Sequence, residues 1–416
     1  MVGFELEQGP EKSKPSGAGD GLPSERLPRR DYVLLPLTAI LTVTLLFLCV
    51  EVGARLIWPE QKRDMCEIWE AGHSHMRPNC QTRVKLAEGA WVDYRYNECG
   101  YRSGASCGPK PANALRVVVL GTSVTRGFWV SYEDTYSGRL ERSFGRQCQR
   151  PVEFHNLSIG GAIGPVWHTV VEKAEEAIHL EPDALVLLVT SFDLQQYSST
   201  TRASTEDMPS GAPISLTKMI AGIRQLLDNT RAITLAMHLV FSDASRYVPL
   251  FLMHGDSADY MRPPLSPEWQ FRLGIADTTI DSLSKTAQAT GVHLIVLYSP
   301  SRQEVLIAHM AKRIPAVDPR TFGRALANIA QRHGATFVTP IDLEAAAPDP
   351  NALFYAVDGH PTGDGHRLIA EALERGLNSQ VPEFRDCAGY STRPEPAENG
   401  QLGPIPNSSL PAVSGQ

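Results

Sequence analysis

The sequence predicts an α/β protein: a three-layer αβα domain on a five-stranded parallel sheet, preceded by one transmembrane helix. Three observations carry this. Short apolar runs rich in Val, Leu and Ile recur after residue 114. Amphipathic stripes at helical spacing separate them, and such alternation gives a parallel sheet with helices on both faces. Upstream, Tyr32 to Val50 is one uncharged apolar stretch, about the ~20 residues a helix needs to cross a bilayer.

The strands follow in order. "LRVVVLG", beginning at Leu115, reads as a strand buried on both faces. Tyr136, Leu140 and Phe144 then mark a helix. "VEFHNLS" is the second strand, and Trp167, Val170, Val171, Ala174 and Ile178 form a helical stripe. "ALVLLVT" is the third strand. The segment 197–265 is less regular, with helical stretches at Met219–Leu227 and Ala232–Phe241. A helix from Phe271 to Ala289 leads to the fourth strand, "VHLIVLYSP". A helix over Arg320–His333 leads to the fifth, "ATFVTP", and Leu368, Ile369, Ala372 and Leu373 mark the last helix.

The chain divides into five segments: a polar arm (1–31), the apolar span (32–58), a loop-rich extension (59–112), the α/β domain (113–387) and a tail (388–416). The arm and tail are rich in Gly, Pro, Ser and charge, a composition that stays disordered. Val52-Gly53-Ala54 resembles a signal-peptide cleavage site. The apolar run, however, exceeds the ~7–15 residues of a signal-peptide core, and a long hydrophilic arm precedes it, which favours an uncleaved anchor. Lys12, Lys14, Arg26, Arg29 and Arg30 precede the span, and Arg55, Lys62 and Arg63 follow it. That bias keeps the N-terminus cytoplasmic and exports the rest. Six cysteines (Cys66, Cys80, Cys99, Cys107, Cys148 and Cys387) lie on the exported side, and Cys49 lies in the span. An even number in an oxidising compartment implies disulfides, of unassigned pairing. No C-x-x-C pair occurs, and His73 and His75 alone make no metal site. The net charge of −7 argues against nucleic acid as a partner.

Residues fit for catalysis gather where a parallel sheet gathers them, at the carboxyl ends of strands. The first strand runs into Gly121-Thr122-Ser123, the second into "NLSIGGAIG", the third into "TSFDLQ". "VDGHPTGDGHRLIAEAL" follows the fifth. A lone serine hydroxyl is a poor nucleophile and needs a positioned base. Ser123 at a strand end is otherwise simply a helix cap. In Asn156-Leu157-Ser158 and Asn407-Ser408-Ser409 the sequence also matches the glycosylation pattern.

The order Gly-x-Ser-x-Thr-x-Gly, Asn-x-x-x-x-Gly, a strand-end aspartate, then Asp-x-His-Pro before a Gly-His helix resembles the SGNH hydrolases, also called GDSL-like lipases and esterases. The resemblance covers roughly residues 114–377, and "YNECGYRS" (Tyr96 to Ser103) is similar to the lead-in segment of anchored members. It implies the flavodoxin-like SGNH fold, with Ser123 as nucleophile, His360 as base and Asp358 as its orienting acid. The N–H groups of Ser123 and Gly161 would serve the oxyanion. The implied substrate is an ester or an acetylated carbohydrate, with no cofactor and no metal. A polysaccharide O-acetyltransferase using the same triad and a weakly catalytic glycan-binding or scaffold domain are the alternatives.

Three departures stand beside this resemblance. Thr122 replaces the usual aspartate. Asp358 and His360 are separated by one residue where many members have two, a spacing that resembles the polysaccharide O-acetyltransferases. Phe192 occupies the place of the oxyanion asparagine. His366 is the rival base, expected to pack or cap at the start of the last helix. Asp193 is expected to hold a loop, and His155 and His168 to be structural.

Overall fold

The computed structural model describes residues 28, 30–58, 61–70, 73–148, 150–159, 166–199, 230–253 and 255–391. Helix α1 (Asp31–Ile57) is uninterrupted and has a mean hydropathy of 2.6 over its most apolar stretch, long and apolar enough to cross a membrane. The arm before residue 28 lies outside the described residues, as do the tail beyond residue 391 and the expected Met219–Leu227 helix.

The extension is more ordered than its sequence suggests. Strands β1 (Glu67–Glu70) and β2 (His73–Met76) form one antiparallel hairpin, and β3 (Gln81–Lys85) and β4 (Trp91–Arg95) another. Exposed Trp91 hides the alternation of β4, whose inward residues are Val92 and Tyr94. With Cys66, Met76, Val84 and Tyr96 these two build a small core of their own. Disulfides Cys66–Cys80 and Cys99–Cys107 close local loops in this region. So small a core gains most from such crosslinks.

The main sheet contains β5 (Leu115–Gly121), β6 (Val152–Ser158), β7 (Ala184–Val189), β8 (His293–Tyr298) and β9 (Thr336–Val338). Their spatial order is β6-β5-β7-β8-β9, and every pairing is parallel. Between them run α2 (Ser123–Arg126), α3 (Tyr136–Gln147), α4 (Val166–His179), α5 (Ser191–Gln195), α6 (Arg231–Phe241), α7 (Ala244–Leu252), α8 (Pro267–Thr290), α9 (Arg302–His309), α10 (Thr321–Arg332), α11 (Ile341–Ala345), α12 (Gly363–Gln380) and α13 (Pro382–Ser391).

Period-two alternation explains the layers. Val117, Val119, Val186 and Leu188 point to one face and pack with Leu140, Phe144, Ile369, Leu373 and Phe384 of α3, α12 and α13. Val118, Leu120, Leu185 and Leu187 point to the other, against Trp167, Val170, Ile280, Leu283 and Leu326 of α4, α8 and α10. Both faces are covered, so these strands read as continuous apolar runs rather than alternating ones. The third disulfide, Cys148–Cys387, joins the end of α3 to α13 across 239 residues of sequence. Because α13 continues past Cys387, order extends a few residues into the segment expected to be a disordered tail.

From β5 the chain moves to β6 on one side, then returns past β5 to β7 on the other. This reversal opens a crevice at the carboxyl ends of β5 and β7, the place where open α/β sheets bind ligands. Ser123, two residues past the end of β5, opens α2.

Candidate active site

Strand β5 ends at Gly121 with φ 152°, and a Cβ there would meet the Thr125 side chain at 2.2 Å and the Leu188 carbonyl oxygen at 3.0 Å. Only glycine fits this tight strand-to-helix turn. Thr122 follows, its hydroxyl donating to Asp193 Oδ1 at 2.6 Å. Ser123 is the first residue of the short helix α2, so its N–H has no intrahelical partner. Gly127, with φ 72°, ends the helix.

The loop before α12 brings the other two groups. A bridge between Phe354 and Pro361 closes its neck, with Tyr355 N–H donating to the His360 carbonyl at 2.9 Å and Gly359 N–H to the Tyr355 carbonyl at 3.0 Å. Gly359 sits at φ 82°. This left-handed residue folds the chain so that Asp358 reaches forward: its Oδ1 accepts the His360 backbone N–H at 3.3 Å and lies 2.5 Å from His360 Nδ1. The single-residue spacing therefore needs no lengthening to orient the ring. His360 Nε2 lies 2.7 Å from Ser123 Oγ. With Nδ1–H donating to Asp358, Nε2 accepts the serine hydroxyl. The Phe128 ring packs 5.2 Å from the imidazole, centre to centre. Burial works against ionisation of Asp358, but the hydrogen bonds and charge of His360 outweigh it and hold the carboxyl below its ordinary range.

Four residues of the extension support these loops, and sequence reasoning missed them all. The Glu88 side chain is only 2% exposed. Its Oε1 accepts the backbone N–H groups of Val357 at 2.9 Å and Asp358 at 3.1 Å, while its Oε2 lies 2.7 Å from His238 Nδ1 on α6. Tyr94 OH accepts the Trp129 N–H at 2.7 Å, and the Trp129 carbonyl accepts from Tyr355 OH at 2.9 Å. These bonds hold Trp129 at φ 64°, an unusual conformation for a bulky residue. Arg102, buried over the Tyr94 ring at 3.9 Å, donates to the carbonyls of Arg126, Gly127 and Val130. Glu67 pairs at 3.4 Å with Arg126, which is fully buried. Arg102 lies in the "YNECGYRS" segment, which carried no role for it, and no motif marks Glu67, Glu88 or Tyr94, because each acts through a carbonyl, an N–H or a neighbouring charge rather than through a sequence pattern.

The other expected residues fall as follows. Asp193 holds the strand-end loop, accepting Thr190 N–H and Oγ1–H at 2.8 Å each besides Thr122; burial nevertheless pushes its carboxyl up. Phe192 is 75% exposed and stands on the wall of the cavity that contains Ser123. Gly161 lies outside the described residues. His366 is fully buried away from the serine. It stacks on Tyr136 at 5.8 Å, and its Nδ1 accepts the Tyr136 N–H at 3.4 Å. Burial, with nearby Arg102 and His360, pushes its imidazole down to about 3, so it is neutral at ordinary pH. His155 is buried beside Glu153 at 3.4 Å, with burial lowering its pKa. His168 lies on α4, its side chain outside the described residues.

Asn156 is 1% exposed and donates to the Thr125 carbonyl behind the serine. Its match to the glycosylation pattern is therefore structural: a buried strand amide offers no acceptor to a modifying enzyme. Asn407 lies outside the described residues.

The dyad opens into a cavity of about 420 Å³, lined among others by Ser123, Phe192, Phe241, Tyr247, Arg302 and His360. This is ordinary for a small-molecule site.

No family model matches the chain, and no curated protein matches it. Among solved structures, it is similar to a two-domain esterase active on acetylated mannans, with 14% identity over 68% of this chain and a TM-score of 0.35. The chain spans about half, 52%, of that protein's length. It is also similar to a lipase/acylhydrolase from Enterococcus faecalis, with 11% identity, 65% of this chain, 98% of that one and a TM-score of 0.34. A member of the lipolytic G-D-S-L family from Veillonella parvula shows 12% identity, 63% and 97% coverage and a TM-score of 0.29.

Proposed function

We propose that the chain is a membrane-anchored serine esterase of the SGNH type, its α/β domain exported. One observation carries the reading: Ser123 Oγ, His360 Nε2, His360 Nδ1 and Asp358 Oδ1 form a continuous relay of 2.7 and 2.5 Å at the mouth of a cavity. A serine that merely caps a helix has no use for an oriented imidazole.

In the reaction, Ser123 Oγ attacks the ester carbonyl carbon as His360 Nε2 takes its proton. Asp358 stabilises the resulting imidazolium. The tetrahedral oxyanion is met by the Ser123 N–H and, by the family pattern, that of Gly161. His360 returns the proton to the leaving alcohol, giving an acyl-serine. Water then repeats the sequence, its proton going to His360, and releases the acid and the free serine. The Phe192 ring donates no hydrogen bond, so the oxyanion is served by backbone groups. Losing one such donor costs ~10²–10³ in turnover elsewhere.

Anchoring is supported by α1, orientation by the basic flank that precedes it, and export by three disulfides that need an oxidising compartment. Hydrolysis of an ester panel by the domain that follows α1, wild type beside Ser123→Ala, tests the reading. Turnover lost with that single hydroxyl supports it; turnover kept by the variant removes it.

A further inference from the structure

The wall of the cavity says more about the ester than the triad does. Phe192, Phe241, Tyr247, Leu250, Phe251 and Phe354 all face it. Four of these come from α6 and α7, which the chain inserts between β7 and β8. Leu250 is 42% exposed although it lines a cavity, so a ligand there would cover it.

Most polar groups on the same wall are already engaged. Arg302 is 2% exposed; its Nε and Nη2 donate to Asn351 Oδ1, its Nη1 to the Ala356 carbonyl and its Nη2 also to the Phe241 carbonyl. Its guanidinium also lies 4.2 Å from the Tyr247 ring centre. Gln303 accepts from Tyr247 OH at 3.1 Å and donates to Tyr260 OH at 2.8 Å. Ser301 donates to Glu304 at 2.7 Å, and Thr190 to Asp193. Asp358 and His360 serve the serine. Ser299 and Gln195 add neutral polar spots. A sugar entering this cavity would give up water hydrogen bonds for few replacements, at a real cost. A hydrocarbon chain would give up no hydrogen bonds to water and would gain by burial.

We infer that the cavity holds the hydrocarbon arm of the substrate, so that the esters turned over carry an acyl or alkyl chain of several carbons rather than a bare acetyl group on a sugar. This rests on the serine-esterase reading. The two helices of the insertion set the preference, because they supply most of the aromatic wall.

The test is kcat/KM of the full chain in detergent for two ester series, nitrophenyl esters in which the acyl chain varies and acetates in which the alcohol varies. One series lengthens the acyl chain from acetate to decanoate, the other the alcohol chain. Along the arm that enters the cavity, each added methylene raises kcat/KM by about fourfold until the space is filled, and the series that responds identifies that arm. Leu250→Asp, at an exposed helical position, lowers the octanoate-to-acetate ratio, or the corresponding alcohol ratio, by about tenfold. Leu239→Asp, 62% exposed on α6 and outside the cavity lining, leaves the ratio unchanged. Acetate esters of short alcohols turned over as well as the long-chain ones in both series overturn the inference while the serine-esterase reading stands. If no ester is turned over through Ser123, the catalytic reading falls instead, and binding to Ser123→Ala decides the cavity. Octanamide bound more tightly than acetamide upholds it; equal or absent binding overturns it.

Discussion

Glu88 holds Asp358: its carboxylate accepts the Asp358 backbone N–H at 3.1 Å and that of neighbouring Val357 at 2.9 Å. The acid of the proposed triad is thus fixed by a residue of the β3–β4 hairpin, far from it in sequence. Glu88→Ala leaves two backbone donors without their acceptor in a nearly dry place and lets the loop shift. An angstrom of misplacement costs as much as ~10² in rate. We expect kcat to fall by ~10–100-fold with little change in KM, and Glu88→Gln, which keeps one carbonyl oxygen, to recover part of it. A fall in KM-controlled binding alone, with kcat intact, would contradict a positioning role.

Phe192 is too exposed to be a core residue. Phe192→Asn should therefore leave stability within ~0.5 kcal/mol of wild type, as surface substitutions do. Placing an amide beside the proposed oxyanion should raise kcat on activated short esters, by at most ~10²–10³. Steady-state kinetics with a melting curve check both. An unchanged kcat in a stable variant would put the oxyanion elsewhere than beside residue 192.

His366 supplies acid sensitivity. Its ring is neutral in the folded protein down to a pKa of about 3, whereas an unfolded histidine takes up its proton near its ordinary 6.5. The unfolded state then binds the extra proton throughout the interval, so this group's contribution to stability is lost as pH falls from 6.5 towards 3. The loss is about 1.4 kcal/mol per pH unit within that window. Burial raises Glu304 to about 7, which has the opposite slope from its ordinary 4.5 upward. The comparison must therefore be with His366→Leu. Denaturant unfolding at pH 6 and pH 4 should show the wild type losing more stability on acidification than the variant. Equal losses would mean that the buried ring protonates readily.

The disulfide pattern is Cys66–Cys80, Cys99–Cys107 and Cys148–Cys387, with Cys49 outside it. The Cys148–Cys387 bond closes by far the longest loop, so removing it by a double serine substitution should cost the most, about 2–4 kcal/mol. Peptide mapping without reduction checks the pairs, and denaturant unfolding the ranking. A larger loss from the Cys99–Cys107 pair would contradict the loop-length basis.

Much of the fold was legible in the sequence because buried parallel strands leave an unmistakable apolar run. β5, β6 and β7 begin where Leu115, Val152 and Ala184 suggested, and β6 ends at Ser158 as expected. The members of the Ser123–His360–Asp358 relay were legible through the order of motifs that resembles the SGNH hydrolases, not through local pattern alone. The hairpins at Glu67–Met76 and Gln81–Arg95 were not, since short strands with exposed Trp69 and Trp91 break the alternation that would reveal them. α7 and α9 were missed as well; α9 is short and buries Arg302, Gln303 and Glu304 on its first turn, a polar start with no apolar stripe. Glu88, Tyr94 and the role of Arg102 within "YNECGYRS" escaped for another reason. Their importance lies in which distant N–H or carbonyl they meet, and the chain order carries no trace of that.

In the proposed reaction Ser123 is a nucleophile made reactive by His360. Labelling of the purified domain with a fluorophosphonate, followed by mass mapping of the adduct, measures this most directly. The expected result is one adduct on Ser123, absent in Ser123→Ala and slowed by at least ~10³-fold in His360→Ala, with all three proteins melting cooperatively. A folded wild-type domain that takes no label at Ser123, or a His360→Ala variant that labels at the wild-type rate, would contradict it.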